Sequence, residues 1–472
     1  MDISLLNRLR TLVVFEVDTF EKQLGRLRSL HYPSGAASSL IDNLVNELRG
    51  HRQEINQVLA DFPDDPERAG RALRSQHRLL VQKLRYLSSL EDAETVRAPW
   101  SLVPSIEWLA SALLPDKPLL ATCTQSLNYG IRWNPAPKSA VQRFAILELP
   151  AIHKTNAFLH VLVGHELFHP ILQEFLKSRA ADVISRLRTA LNPIASQVTK
   201  DRFDELVEQV RYIWQRALEE LMCDMGCAAI FGPAAVFASA MLHIGGNLDE
   251  PPSLEGSFYP PPRYRLREVL RYAFQAPVDE GQQSPDAEPD QSDDKPLPRL
   301  ARLLSDRGFG WARDVLEKQF KIIQGEVQKQ TDLEQVNQYP WLKLAYEEVQ
   351  GSLPQAWDYV RDKAQSTSTS WLETIEDIPK LLESIGLLVP PGEIRETVGE
   401  DSSQLRTRSP SLSAISIAMW LYRLREEEQD AVKAEDNELR RYHRLCRLML
   451  KAFEDVEIRR EYDSRKKAAP AS

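Results

Sequence analysis

Apolar residues in the first hundred positions recur with the period of one helix face. Leu5, Leu6, Leu9, Leu12, Val13 and Phe20 make one stripe, and Leu40, Leu44, Leu48 and Ile55 a second. Tyr32-Pro33-Ser34-Gly35 and Phe62-Pro63-Asp64-Asp65-Pro66 punctuate these stripes, because proline and glycine there interrupt the helical hydrogen-bond ladder. A third helix is expected over about 67–90, with Leu79, Leu80, Leu84 and Leu87 on its apolar side. The period then changes. Short apolar runs at 118–124, 127–133 and 144–149, bounded by Asn134-Pro135 and Pro137, predict strands. Helical spacing returns at about 155–173, 201–229 and 262–274, and beyond residue 298 it continues to about 463 with a polar break at 390–411.

Two stretches depart from these patterns. Residues 225–248 carry no charge, but Gly232-Pro233 and several alanines deny them the apolar density of a membrane span, so two buried helices broken at that dipeptide are expected. Residues 277–298 hold seven acidic residues, one lysine and five prolines, the composition of a flexible acidic linker. The resulting expectation is an α+β chain that is mostly α. It divides into a helical N-terminal region at 1–100, a core with a small sheet at 101–276, the linker at 277–298 and a helical C-terminal region at 299–472.

At 472 residues the chain exceeds one ordinary core, and its 43% hydrophobic and 27% charged fractions are those of a globular protein. A net charge of −9 argues against nucleic-acid binding through the overall field. A basic stretch at Arg440, Arg441, His443, Arg444, Arg447 and Lys451 reads as a solvated helix face. Four cysteines are too few for a disulfide scaffold, and Cys223 and Cys227, one helical turn apart, read as a core pair. Asp2 precedes any base and no small-residue cleavage site follows the first apolar stretch, so a cytoplasmic protein is expected.

One segment carries chemistry. Residues 164–170 read Gly-His-Glu-Leu-Phe-His-Pro, which on a helix turns His165 and His169 to one side. Two imidazoles so placed can supply two nitrogens to a tetrahedral Zn2+, while Glu166 reaches a water without ligating the metal. With 9 histidines in the chain, a chance match is on the order of one per cent. Phe158, Leu159, Val161, Leu162, Val163, Leu167 and Phe168 make the segment apolar nearly all round, so it should be buried, and buried polar groups need a partner. Pro170 removes an amide and should kink or end the helix just after the motif.

A third ligand is expected on the helix that follows. Glu220 is the candidate, with Asp224 four residues on to hydrogen-bond the outer nitrogen of a ligating histidine; Glu219 and then Glu208 are rivals. His165-Glu166-Leu167-Phe168-His169 followed by Glu220-Leu221-Met222-Cys223-Asp224 resembles the gluzincin metallopeptidase arrangement. A later segment, Tyr259-Pro260-Pro261-Pro262-Arg263-Tyr264-Arg265-Leu266, resembles one found in the CaaX-prenyl-protease and bacterial heat-shock group of that family, with Tyr259 standing where the group has histidine.

The resemblance covers roughly residues 140–275 and implies a zincin-like core. It implies a hydrolase in which Glu166 activates a zinc-bound water against a peptide bond, with Tyr259 or Arg265 stabilising the oxyanion. The strand at 144–149 would be the edge strand on which a protein or peptide substrate lies. The helical flanks suggest a regulated or processing protease with a regulatory protein partner and no membrane span. An inactive zinc-containing scaffold is the alternative.

Overall fold

The N-terminal stripes fall on three helices, α1 (Ile3–Arg28), α2 (Gly35–Asp61) and α3 (Pro66–Thr95). The computed structural model describes residues 3–30, 32, 35–95, 102–115, 119–124, 129–133, 145–195, 199–244, 248, 259–276, 295–328, 336, 339–398, 404–430 and 435–468. The apolar faces of these helices close on one another around Val13, Phe20, Leu40, Leu48 and Leu73, and Leu120 and Ile146 of a small sheet join the same core. A further helix, α4 (Leu102–Leu113), was not expected. Its nearly continuous apolar composition hides the helical period, and Pro104 sits in its first turn, where proline is tolerated.

The sheet has strands β1 (Leu119–Thr124), β2 (Gly130–Trp133) and β3 (Ala145–Pro150) in the order β1-β3-β2. β3 runs parallel to β1 and antiparallel to β2. The expectation that the strand at 144–149 is an edge strand is therefore corrected: β3 is central, and its ladder is occupied on both sides. It cannot take an added strand.

Contacts divide the chain into two compact units, Met1–Lys154 and Thr155–Ser472. Residues 101–154 thus group with the N-terminal helices, and the helices before and after 277–298 belong to one unit. The predicted linker lies outside the described residues up to 294, while Pro296 and Pro298 open the helix α9 (Pro296–Asp306), proline's missing amide being harmless in a first turn.

In the second unit a 3₁₀ segment, Ala157–Leu162, leads into α5 (Val163–Ala195). Pro170 does not end this helix, which runs on for about seven more turns. The amide lost is one bond, whereas Leu167, Phe168, Leu172 and Leu176 are buried at 1% exposure or less and hold the segment in place. Next come α6 (Lys200–Phe231) and α7 (Pro233–Ile244), separated at Gly232 as the sequence suggests. Gly232 has φ +54°, and a Cβ there would lie 2.6 Å from the Trp371 ring, so only glycine fits the break.

The helix α8 (Pro262–Ala273) follows, then α9, α10 (Gly310–Val327), α11 (Pro340–Ser366), α12 (Ile378–Gly386), α13 (Leu412–Asp430) and α14 (Glu435–Ala468). The polar break at 390–411 contains a two-stranded hairpin, β4 (Ile394–Val398) with β5 (Gln404–Arg408). Among the described residues no helix is long and apolar enough to cross a membrane.

α6 is the centre of the second unit and touches α5, α7, α8, α11 and α13. Trp214 Nε1 donates to Ser352 Oγ at 3.2 Å, tying α6 to α11. Gln350 Nε2 donates to Tyr264 Oη at 2.7 Å and Arg267 Nη1 to the Val327 carbonyl at 3.1 Å, so α8 is fixed to α11 and α10. The approach to α5 is fixed as well. The Arg423 guanidinium lies over the rings of Phe158, Trp420 and Tyr442 at 5.1, 4.6 and 4.6 Å, and Tyr442 Oη donates to Asn156 Oδ1 at 2.6 Å.

Candidate metal centre

The first turns of α5 and the C-terminal half of α6 lie side by side, and their closeness has a specific cause. A Cβ on Gly226 would fall 2.4 Å from the Phe168 ring, so the absence of a side chain at that position lets α6 approach α5 next to His169. On α5, His165 and His169 are one turn apart, with ring centroids 5.1 Å apart and planes at 78°. Facing them on α6 are Glu219, Glu220, Cys223 and Asp224, all buried or nearly so.

Each imidazole is held from behind by a carboxylate. His165 Nδ1 donates to Asp224 Oδ1 at 2.8 Å, and His169 Nδ1 donates to Glu219 Oε1 at 3.0 Å. A carboxylate can only accept, so both Nδ1 atoms carry hydrogen and both Nε2 atoms are turned to the opposite side. There they meet Glu220: His165 Nε2 is 3.3 Å from Oε2, and His169 Nε2 is 4.0 Å from Oε1. Two ligands at bond lengths of about 2.0–2.1 Å in tetrahedral array stand about 3.4 Å apart, so the first separation already matches an edge of a zinc site. Glu166 Oε2 lies 3.9 Å from His169 Nε2, beside this point.

Two arginines complete the surroundings. Arg265 on α8 donates to Asp224 through Nε at 2.6 Å and Nη2 at 2.8 Å, and its Nη2 is 3.7 Å from Glu220 Oε2. Arg216 donates to Glu219 Oε2 at 2.6 Å and to Glu220 Oε1 at 3.4 Å. Four carboxylates against two guanidiniums leave the cluster two formal negative charges when both imidazoles are neutral. A divalent cation would cancel them, which is the fit that the donor chemistry offers.

The protonation preferences point the same way. Burial alone would lower His165, but the Asp224 and Glu220 hydrogen bonds and the nearby Glu166 charge raise it to about 10. Without a metal, a proton on Nε2 supplies the positive charge that the acids demand. Burial would raise Glu220 and Asp224, yet His165 and Arg265 outweigh it and hold both carboxyls below their ordinary range.

Cys223 is the residue that the sequence did not single out for chemistry. It is fully buried, as a core reading expects, but its sulfur also lies within 4.8 Å of one nitrogen from each histidine. Burial and the charges of Glu220 and Glu219 push its thiol well up, so it is a neutral thiol beside an ionised carboxylate. Cys223 Sγ and the Glu220 carboxylate thus both stand near the two histidines, with Glu220 Oε2 at 3.3 Å from His165 Nε2.

The remaining residues sort by position. Glu208 pairs with Arg211 at 2.7 Å on the exposed side of α6 and is remote in role from the histidines. Glu219, the other rival, sits behind His169 and not among the Nε2 atoms. Arg265 donates through Nε and Nη2 to Asp224, which holds His165, and its Nη2 also lies 3.7 Å from Glu220 Oε2. Tyr259 is 43% exposed, its ring lies under Arg216 at 6.0 Å, and burial of its inner part together with Glu220 raises its hydroxyl above the ordinary phenol value. The chain matches no family model, no curated protein and no solved structure.

Proposed function

We propose that the chain is a zinc-dependent peptidase of gluzincin type, in which His165 and His169, through their Nε2 atoms, and Glu220 hold the metal. The observation that carries the reading is the opposed orientation of the two imidazoles. Both Nδ1 atoms are committed to carboxylates, and both Nε2 atoms converge on a third, ionised carboxylate in a cluster short of two positive charges. A structural role alone would not require a further acid, Glu166, at the same point.

Zinc, when bound there, supplies Lewis acidity that acidifies a water and polarises a carbonyl. The chain's own groups do the rest. Glu166 accepts the proton of the attacking water and passes it to the leaving amine. Tyr259, like any phenol, keeps its hydroxyl proton at neutral pH, and burial followed by Glu220 raises its pKa further, so it can donate to the developing oxyanion. Arg265 acts as a positioning residue by fixing Asp224, which in turn fixes the ring of His165. The substrate class is a protein or peptide, and a zincin-like core built on α5 and α6 belongs to the same proposal.

The test is a proteomic comparison of fragments generated by the wild-type chain and by Glu166→Gln, both zinc-loaded. The variant should hold zinc as wild type does and lose about 10²-fold or more of the cleavage. Equal cleavage by both proteins would remove Glu166 from the chemistry and with it the peptidase reading.

A further inference from the structure

The two sides of the metal centre are built alike. On one side Arg265 binds Asp224, Asp224 binds His165 Nδ1, and Arg265 Nη2 reaches Glu220 Oε2 at 3.7 Å. On the other Arg216 binds Glu219, Glu219 binds His169 Nδ1, and Arg216 Nη2 reaches Glu220 Oε1 at 3.4 Å. The first relay follows from the Asp224 position that the sequence singles out. The second does not, since Glu219 enters the sequence reading only as a rival ligand and Arg216 not at all.

Resting on the zinc reading above, we infer that Arg216 and Glu219 are positioning residues that fix His169 and Glu220 as ligands and couple them to Tyr259. Glu219 is 4% exposed and meets three donors: His169 Nδ1 at 3.0 Å, Gln173 Nε2 at 3.0 Å and Arg216 Nη1 at 2.6 Å. A buried carboxylate with that many partners has one position available to it, and it transmits that position to the imidazole. Arg216 adds two things that a neutral neighbour would not. Its fork addresses Glu219 and Glu220 together, fixing the angle between a ligand and the support of another ligand. Its outer face covers the Tyr259 ring at 6.0 Å, so the same guanidinium contacts the tyrosine and the two acids.

Lysine cannot reproduce this fork, because an ammonium is a point donor. The relay is therefore tested with Arg216→Lys, Arg216→Met and Glu219→Gln in the full-length chain. Each protein is loaded with zinc, and release to a chromophoric chelator is timed. Cobalt-loaded samples give the visible ligand-field spectrum as a second readout.

Glu219→Gln and Arg216→Met should release zinc about 10–100-fold faster than wild type, with Arg216→Lys between them, and their cobalt spectra should shift. Glu219→Gln keeps the shape of the side chain and settles the matter even where Arg216→Met fails to fold. Zinc release and cobalt spectra unchanged in Glu219→Gln and Arg216→Lys would overturn the relay while leaving the zinc site standing. A wild-type chain that takes up no zinc would overturn both this inference and the proposed function.

Discussion

Asp224 is the residue whose loss the structure prices most clearly. Its carboxylate accepts from His165 Nδ1 at 2.8 Å and from Arg265 at 2.6 and 2.8 Å, and among the described residues no other carboxylate oxygen is within hydrogen-bond distance of that guanidinium. In Asp224→Ala the buried guanidinium keeps, among the described residues, only Glu220, 3.7 Å away, as a partial counter-charge. Removing one member of a buried pair costs about 3–5 kcal/mol, and the residual attraction to Glu220 puts the expectation near the lower end, at about 3 kcal/mol. Asp224→Asn keeps an acceptor for His165 but loses the charge, for about 2 kcal/mol.

The assay is urea unfolding of the metal-free chain, read as a lowered midpoint with unchanged slope, followed by zinc competition against a chelator. Zinc affinity should fall about 10-fold in the asparagine variant and towards 100-fold in the alanine variant, because the imidazole loses its fixed tautomer and orientation. An alanine variant within about 0.5 kcal/mol of wild type, with unchanged zinc affinity, would refute the argument that Asp224 organises the site.

Other outcomes follow from particular contacts. Gly226→Ala gains about 0.5–1 kcal/mol of helix propensity but drives a methyl group to 2.4 Å from the Phe168 ring; a net loss of about 1–2 kcal/mol in unfolding experiments, with faster zinc release, is expected, and a gain in stability would contradict the close approach. His243 lies beside Arg265 and Asp224 in a small pocket, and burial, then the Arg265 charge, lower its pKa to about 4. Its folded pKa is below its unfolded value of 6.5, so the unfolded chain takes the proton first. The His243 contribution to the stability of the metal-free chain should be full above pH 6.5 and be lost, by up to about 3 kcal/mol, as the pH drops through 4, and His243→Asn should flatten the 4–6.5 window; an unchanged pH profile in that variant would show His243 to be solvated. Tyr442→Phe should cost about 1 kcal/mol through the lost bond to Asn156, measured by thermal unfolding, and a neutral result would remove that bond from the support of α5.

What the sequence makes legible is what depends on local period and spacing. His165, Glu166 and His169 declare themselves because i and i+4 share a helix face, and Asp224 follows from Glu220 by the same spacing. The helical stripes, the Gly232-Pro233 break and the three strands are likewise local signals, and most appear within a few residues of the expected positions, whereas α5 runs on to Ala195, well past the expected end near 173. What stays hidden depends on tertiary partners. Glu219 is adjacent to Glu220, so no spacing rule separates ligand from support; only the side from which each approaches His169 does. Cys223 looks like core because it is core, and its nearness to the histidines arises from the α5–α6 contact. The rank of β3 within its sheet cannot be read from its own six residues, since centrality is a property of its neighbours. Pro170 does not end its helix for a related reason: a local helix breaker yields when the surrounding burial holds the helix together.

The account stands on three named ligands, and X-ray absorption at the zinc edge tests them most directly. The zinc-loaded wild-type chain should show a first shell of nitrogen and oxygen only, at about 2.0–2.2 Å, with the outer-shell scattering of two imidazoles, and Glu220→Ala should alter that shell while Cys223→Ser should not. A sulfur scatterer at about 2.3 Å that disappears in Cys223→Ser, or a wild-type chain that binds no zinc, would contradict it.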